Sequence, residues 1–181
     1  MATWMNSDGL FIRYGTDESD QPRGAHRKVP GTGEHVLEMN IAYTDMASAT
    51  PALLGAASAT TDGSATVLPK GAKVTGVETI VTTAFTSSGT IGSSTFVLGT
   101  KKSSDRTTEL DHDGILAAGA TGTVLGLATV GTTVRTGATG RGAHFETALS
   151  EEGLIVASNS AHASHPYTAG AARVRVFYRF D

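Results

Sequence analysis

Nowhere in this chain does an apolar stripe of period 3.6 persist beyond two helical turns, whereas apolar and polar residues alternate one by one through several runs. A helix without that stripe has no face to bury, so a helical bundle and a coiled coil are excluded and strands remain. Composition points the same way. Thr 27, Ala 25, Gly 22 and Ser 15 make up 89 of 181 residues. Thr favours the pleated, half-exposed surface of a strand and Gly punctuates turns. Leu, Glu, Lys and Gln, the usual builders of surface helices, are scarce.

The clearest alternation closes the chain: Arg173, Arg175 and Arg179 share one face with Phe177, and Val174, Val176, Tyr178 and Phe180 share the other. A second strand, Glu34 to Tyr43, sets Leu37, Met39, Ile41 and Tyr43 against Glu38 and Asn40. A third, Val74 to Phe85, aligns Val77, Val81 and Phe85, with Ile80 on the opposite side. After the Ser87-Ser88-Gly89 turn, Ile91 and Thr95 to Leu98 are expected to return as its hairpin partner. Lys101 to Asp113 is the most polar stretch and is expected to be a loop, capped by a short helix from Gly114 to Ala118. Thr123 to Val134 suits a strand buried on both faces, and Leu154 to Ala157 a short strand. Asp45 to Ser64, Arg135 to Arg141 and Asn159 to Gly170 have the composition of loops. Six or more short strands joined by Gly-rich turns predict an all-β fold, an antiparallel β-sandwich of jelly-roll type, with an enclosed barrel as the alternative.

The N-terminus is different. Trp4 to Tyr14 is split by the turn dipeptide Asp8-Gly9, and Thr16 to Gly33 is charged, rich in Pro and Gly, and without apolar period. Residues 1–33 are therefore expected to be an extended N-terminal arm, and residues 34–181 a single sandwich domain. Trp4, Leu10, Phe11, Ile12 and Tyr14 form an apolar cluster ahead of a tether carrying Arg23 and Arg27, an arrangement suited to an anchor that binds a partner. The Arg173, Arg175 and Arg179 face offers a second contact with an acidic partner, or else a charged edge that blocks sheet aggregation.

Charge and chemistry narrow the function. A net charge of −3 supplies no basic field for a phosphate backbone, so no nucleic-acid partner is expected. No apolar run approaches the ~20 residues needed to cross a bilayer, Met1 to Met5 lacks the basic and apolar regions that would mark a chain for secretion, and no membrane partner is expected. With no cysteine there is neither disulfide nor thiolate nucleophile. Aromatics are only 6% of residues, which leaves a thin core that neighbouring molecules would complete. His112, His162 and His165 are imidazoles with metal-ligand potential, but the last two lie in a loop. Asp111-His112-Asp113 with Asp105 and Glu109 lacks the spacing of a calcium loop. There is no Gly-x-Ser-x-Gly, Gly137 to Gly142 lacks the Lys-Ser/Thr pair of a phosphate cradle, and Glu151-Glu152 is too slight for a hydrolase. The repeat of Arg23-Gly24-Ala25-His26 as Arg141-Gly142-Ala143-His144 is attributed to chance. No catalytic, metal or cofactor residue is assigned, and the expected chain is not an enzyme.

Four blocks carry a likeness: Trp4 to Thr16 (Trp-Met-Asn-Ser-Asp-Gly-Leu-Phe-Ile-Arg-Tyr-Gly-Thr), Leu68 to Val74 (Leu-Pro-Lys-Gly-Ala-Lys-Val), Ser104 to Gly114 (Ser-Asp-Arg-Thr-Thr-Glu-Leu-Asp-His-Asp-Gly) and Ala172 to Tyr178 (Ala-Arg-Val-Arg-Val-Phe-Tyr). Together they resemble the capsid decoration, or cement, proteins of tailed bacteriophages. That resemblance implies a homotrimeric β-sandwich on the outer surface of the capsid in the virion, bound to the major capsid protein and clamping neighbouring capsomers against internal pressure. The alternative is a receptor- or carbohydrate-binding sandwich associated with a phage tail or fibre, which would use Trp4, Tyr43 and Tyr167 as sugar platforms.

Overall fold

The computed structural model describes residues 2–5, 11–14, 24–29, 31, 33–54, 66–117, 130–131, 133–136 and 140–180. Two antiparallel sheets pack face to face. In chain order the strands are β1 (Ala2–Met5), β2 (Phe11–Tyr14), β3 (Gly24–Lys28), β4 (His35–Ala42), β5 (Ala52–Leu53), β6 (Val67–Leu68), β7 (Ala72–Ser87), β8 (Val97–Lys102), β9 (Glu109–Leu116), β10 (Thr133–Arg135), β11 (Gly153–Ser158) and β12 (Tyr167–Phe180). Sheet I runs β10-β7-β12-β4-β3, and sheet II runs β5-β11-β8-β9 with β6 also paired to β11. Among the described residues the strands β1 and β2 pair only with each other. Among the described residues there is no α-helix, and 3-10 turns stand at Tyr43–Met46, Ile91–Ser93 and Ala143–Phe145. The expected all-β antiparallel sandwich is what the chain forms.

The alternating strands of sheet I bury the residues that the sequence pattern assigns inward. Leu37, Met39 and Ile41 of β4, Val77, Val81 and Phe85 of β7, and Val174, Val176 and Tyr178 of β12 lie in one cluster with Leu98, Ile115, Leu116, Ile155 and Ala157 of sheet II. Each fully buried aliphatic side chain of this kind contributes about 1.5–3 kcal/mol. Sheet II is also covered on its other side, since all six residues of β11 and Val97 to Thr100 of β8 are buried.

Several expectations are corrected. β8 does not return beside β7. The chain crosses to the other sheet through the Ile91–Ser93 turn, and the crossing is held by Phe96, which is fully buried. Alternation identifies a strand but not its neighbour. Gly114 to Leu116 is no helix: it continues a strand that starts inside the polar stretch, at Glu109, and Ile115 and Leu116 are drawn into the core, while Ala118 lies outside the described residues. The segment from Thr16 to Gly33 contains β3, an edge strand laid along β4 with Arg27 opposite Val36. The last strand begins at Tyr167 and is central, so the arginine face of β12 is not a sheet edge. Tyr43 leaves the strand for a 3-10 turn, where the Ala42 N–H donates to Asp45 Oδ2 at 2.8 Å. Of the stretch Thr123 to Val134 only its end enters a described strand, β10, and the rest lies almost wholly outside the described residues.

One irregularity changes which residues face inward. Between Gly76 and Val74 the pairing of β7 with β12 shifts by one, so that Val74 and Val77 are both buried although they are three apart. A strict period of two does not place both on one face.

Candidate functional site

The residues expected to meet a partner fall into two places. β1 and β2 bring Trp4 opposite Ile12, Met5 opposite Phe11 and Ala2 opposite Tyr14, so four of the five expected anchor positions lie in one hairpin. Leu10 and Arg23 lie outside the described residues. The second place is the outer face of sheet I. There the register lines Glu38, Arg175, Glu78 and Arg135 in one row across β4, β12, β7 and β10. The next row holds Arg27, Val36, Phe177 and Gly76. Arg27 and Arg173 are exposed and Arg179 lies opposite Lys73.

Arg175 is spoken for. Its Nε donates to Glu38 Oε2 at 2.6 Å and its Nη1 to Glu78 Oε2 at 3.1 Å. These hydrogen bonds to Glu38 and Glu78 hold its guanidinium above the ordinary arginine range. Glu78, whose side chain is only 8% exposed, also accepts from Arg135 Nε at 3.1 Å. Arg173 approaches Glu38 at 3.8 Å, a looser contact. A buried carboxylate is tolerated only when paired, and here two arginines serve it from opposite sides. The row is a structural clasp across four strands, and it leaves Arg27, Arg173 and Arg179 as the outward charges of the sequence-predicted set. Beside it lies a groove of about 320 Å³ lined by Glu34, Thr75, Gly76, Glu78, Arg135 and Phe177 among others, with the Thr75 hydroxyl donating to Glu34 at 2.8 Å. Sequence reasoning missed Glu38 and Glu78 as partners of Arg175 because they lie 137 and 97 residues away from it. The one local signal was the place of Glu38 on the polar face of an alternating strand, which names no partner.

The metal candidates come apart. Asp105 is occupied by its own turn, accepting from the Thr107 and Thr108 N–H groups at 3.0 and 2.9 Å and from the Thr108 hydroxyl at 2.6 Å. Those bonds, the Thr108 hydroxyl first, hold its carboxyl down at about 2. Donor atoms of Asp111, His112 and Asp113 lie within 4.8 Å of one another, without Asp105, Glu109 or the other histidines. Burial, with the neighbouring Asp111 carboxyl, raises Asp113 above the usual carboxylate range. His165 is structural: its Nδ1 accepts from the Thr90 N–H at 3.0 Å, and its carbonyl takes Ser94 Oγ and Asn159 Nδ2.

The remaining motifs also resolve into structure. Arg141 sits over the Phe145 ring at 5.2 Å, and Gly142 lies so close to the Asp113–Gly114 backbone that an added Cβ would meet Asp113 O at 2.1 Å. The described parts of the two copies take different conformations, Gly24 to His26 in strand β3 and Ala143 with His144 in the 3-10 turn Ala143–Phe145. Both its histidines nevertheless point inward. His26 Nδ1 lies 3.0 Å from Tyr178 Oη, and His144 Nε2 lies 2.9 Å from Thr100 Oγ1. Burial lowers the pKa of each, helped at His26 by His35 and opposed at His144 by Asp111. Glu151 pairs with Lys102 at 2.9 Å and Glu152 accepts from Ser103 Oγ at 2.7 Å. Of the expected sugar platforms, Tyr43 is 37% exposed but Tyr167 is buried and edge-on to Phe85, which removes it from any surface role.

No protein-family model matches the chain, and no curated protein matches it. Among solved structures it is similar to a chain of the capsid of Ralstonia phage GP4, with a TM-score of 0.47 and 17% identity, covering 85% of this chain and 90% of that one.

Proposed function

We propose that this chain is a virion structural protein, and more finely a decoration protein that binds the major capsid protein on the outer surface of a phage capsid and clamps neighbouring capsomers as a homotrimer. One observation carries the reading. The β1–β2 hairpin pairs apolar residues across its ladder, Trp4 with Ile12 and Met5 with Phe11, yet among the described residues it forms a two-stranded sheet hydrogen-bonded to neither sandwich sheet. A two-stranded sheet is marginal alone in water, so such an element gains most from a surface on another molecule. The four sequence blocks that resemble decoration proteins include this hairpin. Three subunits touching several capsomers would turn weak single contacts into strong collective binding, because each further contact forms at high effective concentration.

The test is to add back purified protein to particles that lack it. Deleting residues 1–15 should leave the sandwich folded and abolish decoration, and Trp4→Ala should weaken it by about 2 kcal/mol, as loss of an aromatic anchor does. Undecorated particles should release DNA at a lower temperature while still adsorbing to cells. Particles that keep their thermal resistance but fail to adsorb would instead establish the receptor-binding alternative. Normal occupancy by the truncated chain would overturn the anchor assignment.

A further inference from the structure

The groove on the outer face of sheet I runs across four strands. Arg135 and Thr136, at the end of β10, stand at one side, Gly76 of β7 and Phe177 of β12 lie between, and Glu34, just ahead of β4, closes the other. Three strand spacings, about 14 Å, separate its ends. Its volume of about 320 Å³ is that of a small-molecule site. Phe177 is half-buried, and its neighbour across the ladder is Gly76, so no side chain at that position covers the ring; a Cβ there would lie 3.6 Å from Phe177 Cδ2. Val74 pairs with Tyr178 and Gly76 with Phe177, which makes Thr75 the extra residue of the bulge, and its hydroxyl is turned to Glu34 at 2.8 Å. Bulges re-aim side chains in this way. Arg135 is largely exposed and commits only its Nε, to Glu78, among the described residues, which leaves the other N–H donors of its guanidinium available. Thr136 is fixed by its backbone N–H, which donates to the Val77 carbonyl at 3.0 Å, while its hydroxyl has no partner among the described residues.

We propose that this groove binds a short neutral saccharide, with one sugar ring on Phe177 and its hydroxyl groups shared among Glu34, Glu78, Arg135 and Thr136. The class of ligand follows from the balance of the lining. Glu34 and Glu78 are matched by Arg135 and by Arg175, which holds Glu78 from β12. A phosphate would need an excess of cations and a bare metal ion an excess of carboxylates, and the groove has neither. A purely apolar ligand would desolvate these polar groups without replacing their hydrogen bonds. A sugar ring offers C–H groups on its face and hydroxyls at its rim, each hydroxyl both donor and acceptor, so it meets an aromatic floor and a ring of paired donors and acceptors together. Ion pairs already hold Glu78 and Arg135 in place, which lowers the cost of ordering them on binding. The site belongs to the sandwich and not to the N-terminal hairpin, so it goes beyond the capsid role and does not rest on it. Many copies on one particle would turn weak single contacts into a firm hold on a polysaccharide.

Nuclear magnetic resonance titration of the full-length chain with maltotriose, cellotriose and triacetylchitotriose tests it. At least one should bind with a Kd of about 1 mM, as expected of a small open site. Binding should move the amide signals of Thr75, Gly76, Glu78 and Thr136 and leave those of β11 unmoved. Gly76→Val, which sets methyl groups against the ring, and Arg135→Ala, which removes the free donors, should each weaken binding by about tenfold or more. Phe177→Ala should abolish binding and Phe177→Tyr should keep it; the exposed Arg135 and open Gly76 positions carry the test if Phe177→Ala fails to fold. Inorganic phosphate and lysine amide should leave the same signals unmoved. No binding by any of the three sugars, signals that move elsewhere, binding unchanged in both Gly76→Val and Arg135→Ala, or phosphate or lysine amide taking the groove would overturn the proposal. Particle decoration is scored separately with the wild-type chain. Decoration without sugar binding leaves the capsid reading standing and removes the groove, and sugar binding without decoration does the reverse.

Discussion

The two sheets of this sandwich solve the same burial problem differently, and glycine shows how. In sheet I, Gly76 faces outward beside Phe177, where an added Cβ would lie 3.6 Å from the ring, an ordinary contact. In sheet II, Gly99 lies against the backbone of β9, where an added Cβ would meet His112 O at 2.1 Å. Sheet I has one wet face, keeps alternation and sets a charged row on its outside. In the middle of sheet II, β11 and Val97 to Thr100 of β8 are buried on both faces, so their residues are apolar or small throughout, and at Gly99 neighbouring backbone takes the place of a side chain. Burial on two sides removes the tolerance that one open face provides.

The largest expected effect tests that contrast. Gly99→Ala should destabilise the fold by about 3 kcal/mol, because backbone atoms of β9 must move to admit a methyl group. Denaturant melts giving a loss under 1 kcal/mol would erase the distinction between the sheets.

Next comes the charged row. Arg175→Ala should cost about 2 kcal/mol, since it strands the buried carboxylate of Glu78 with Arg135 alone. Arg135→Ala should cost less than about 1 kcal/mol, because its side chain is 82% exposed and already well solvated. Equal losses in the two variants would mean that the row is not anchored from β12.

A smaller effect follows from pH. His26 ties the edge of sheet I to Tyr178, and His144 ties the 3-10 turn to Thr100 in sheet II. Both pKa values are lowered by burial, so between the folded and unfolded values the unfolded chain binds more protons. Their contribution is therefore complete above the unfolded value near 6.5 and is lost as pH falls below it through the lowered folded values. Thermal midpoints should drop between neutral pH and pH of about 5, and His26→Gln with His144→Gln should flatten that drop. A midpoint that holds steady or rises on acidification would exclude buried neutral imidazoles at both places.

The smallest effect is the mirror of the first. Gly76→Ala should change stability by less than about 0.5 kcal/mol, because the site is open on the wet face and its backbone is not in the left-handed region. A cost comparable to that at Gly99 would show that the bulge beside it, and not burial, governs glycine in this fold.

Legibility follows the same division. Leu37, Met39 and Ile41, and Val174, Val176 and Tyr178, could be assigned inward from the pattern alone, because one buried and one wet face force a period of two. β9 could not, because its polar first half stands at an open edge while its apolar second half is pulled into the core, and the mixture resembles a loop followed by a helix. β3 escaped for a related reason: Gly-Ala-His-Arg-Lys has no apolar period, and its inward residue is a histidine that becomes acceptable only beside Tyr178. Of the candidate contact residues, the aromatic N-terminal cluster and the arginines of the last strand stand out locally, but nothing local says that Arg175 is consumed within its own sheet.

By itself, then, the sequence determined the class of fold and the inward face of the long strands, since local propensity and period depend only on neighbours along the chain. Tertiary structure alone decided which strand lies beside which, the crossing of β8 into the second sheet, the one-residue shift at Gly76, and the pairing of Glu38 and Glu78 with Arg175. Those are relations between residues far apart in the chain, fixed when two faces close over one core, and no local pattern encodes them.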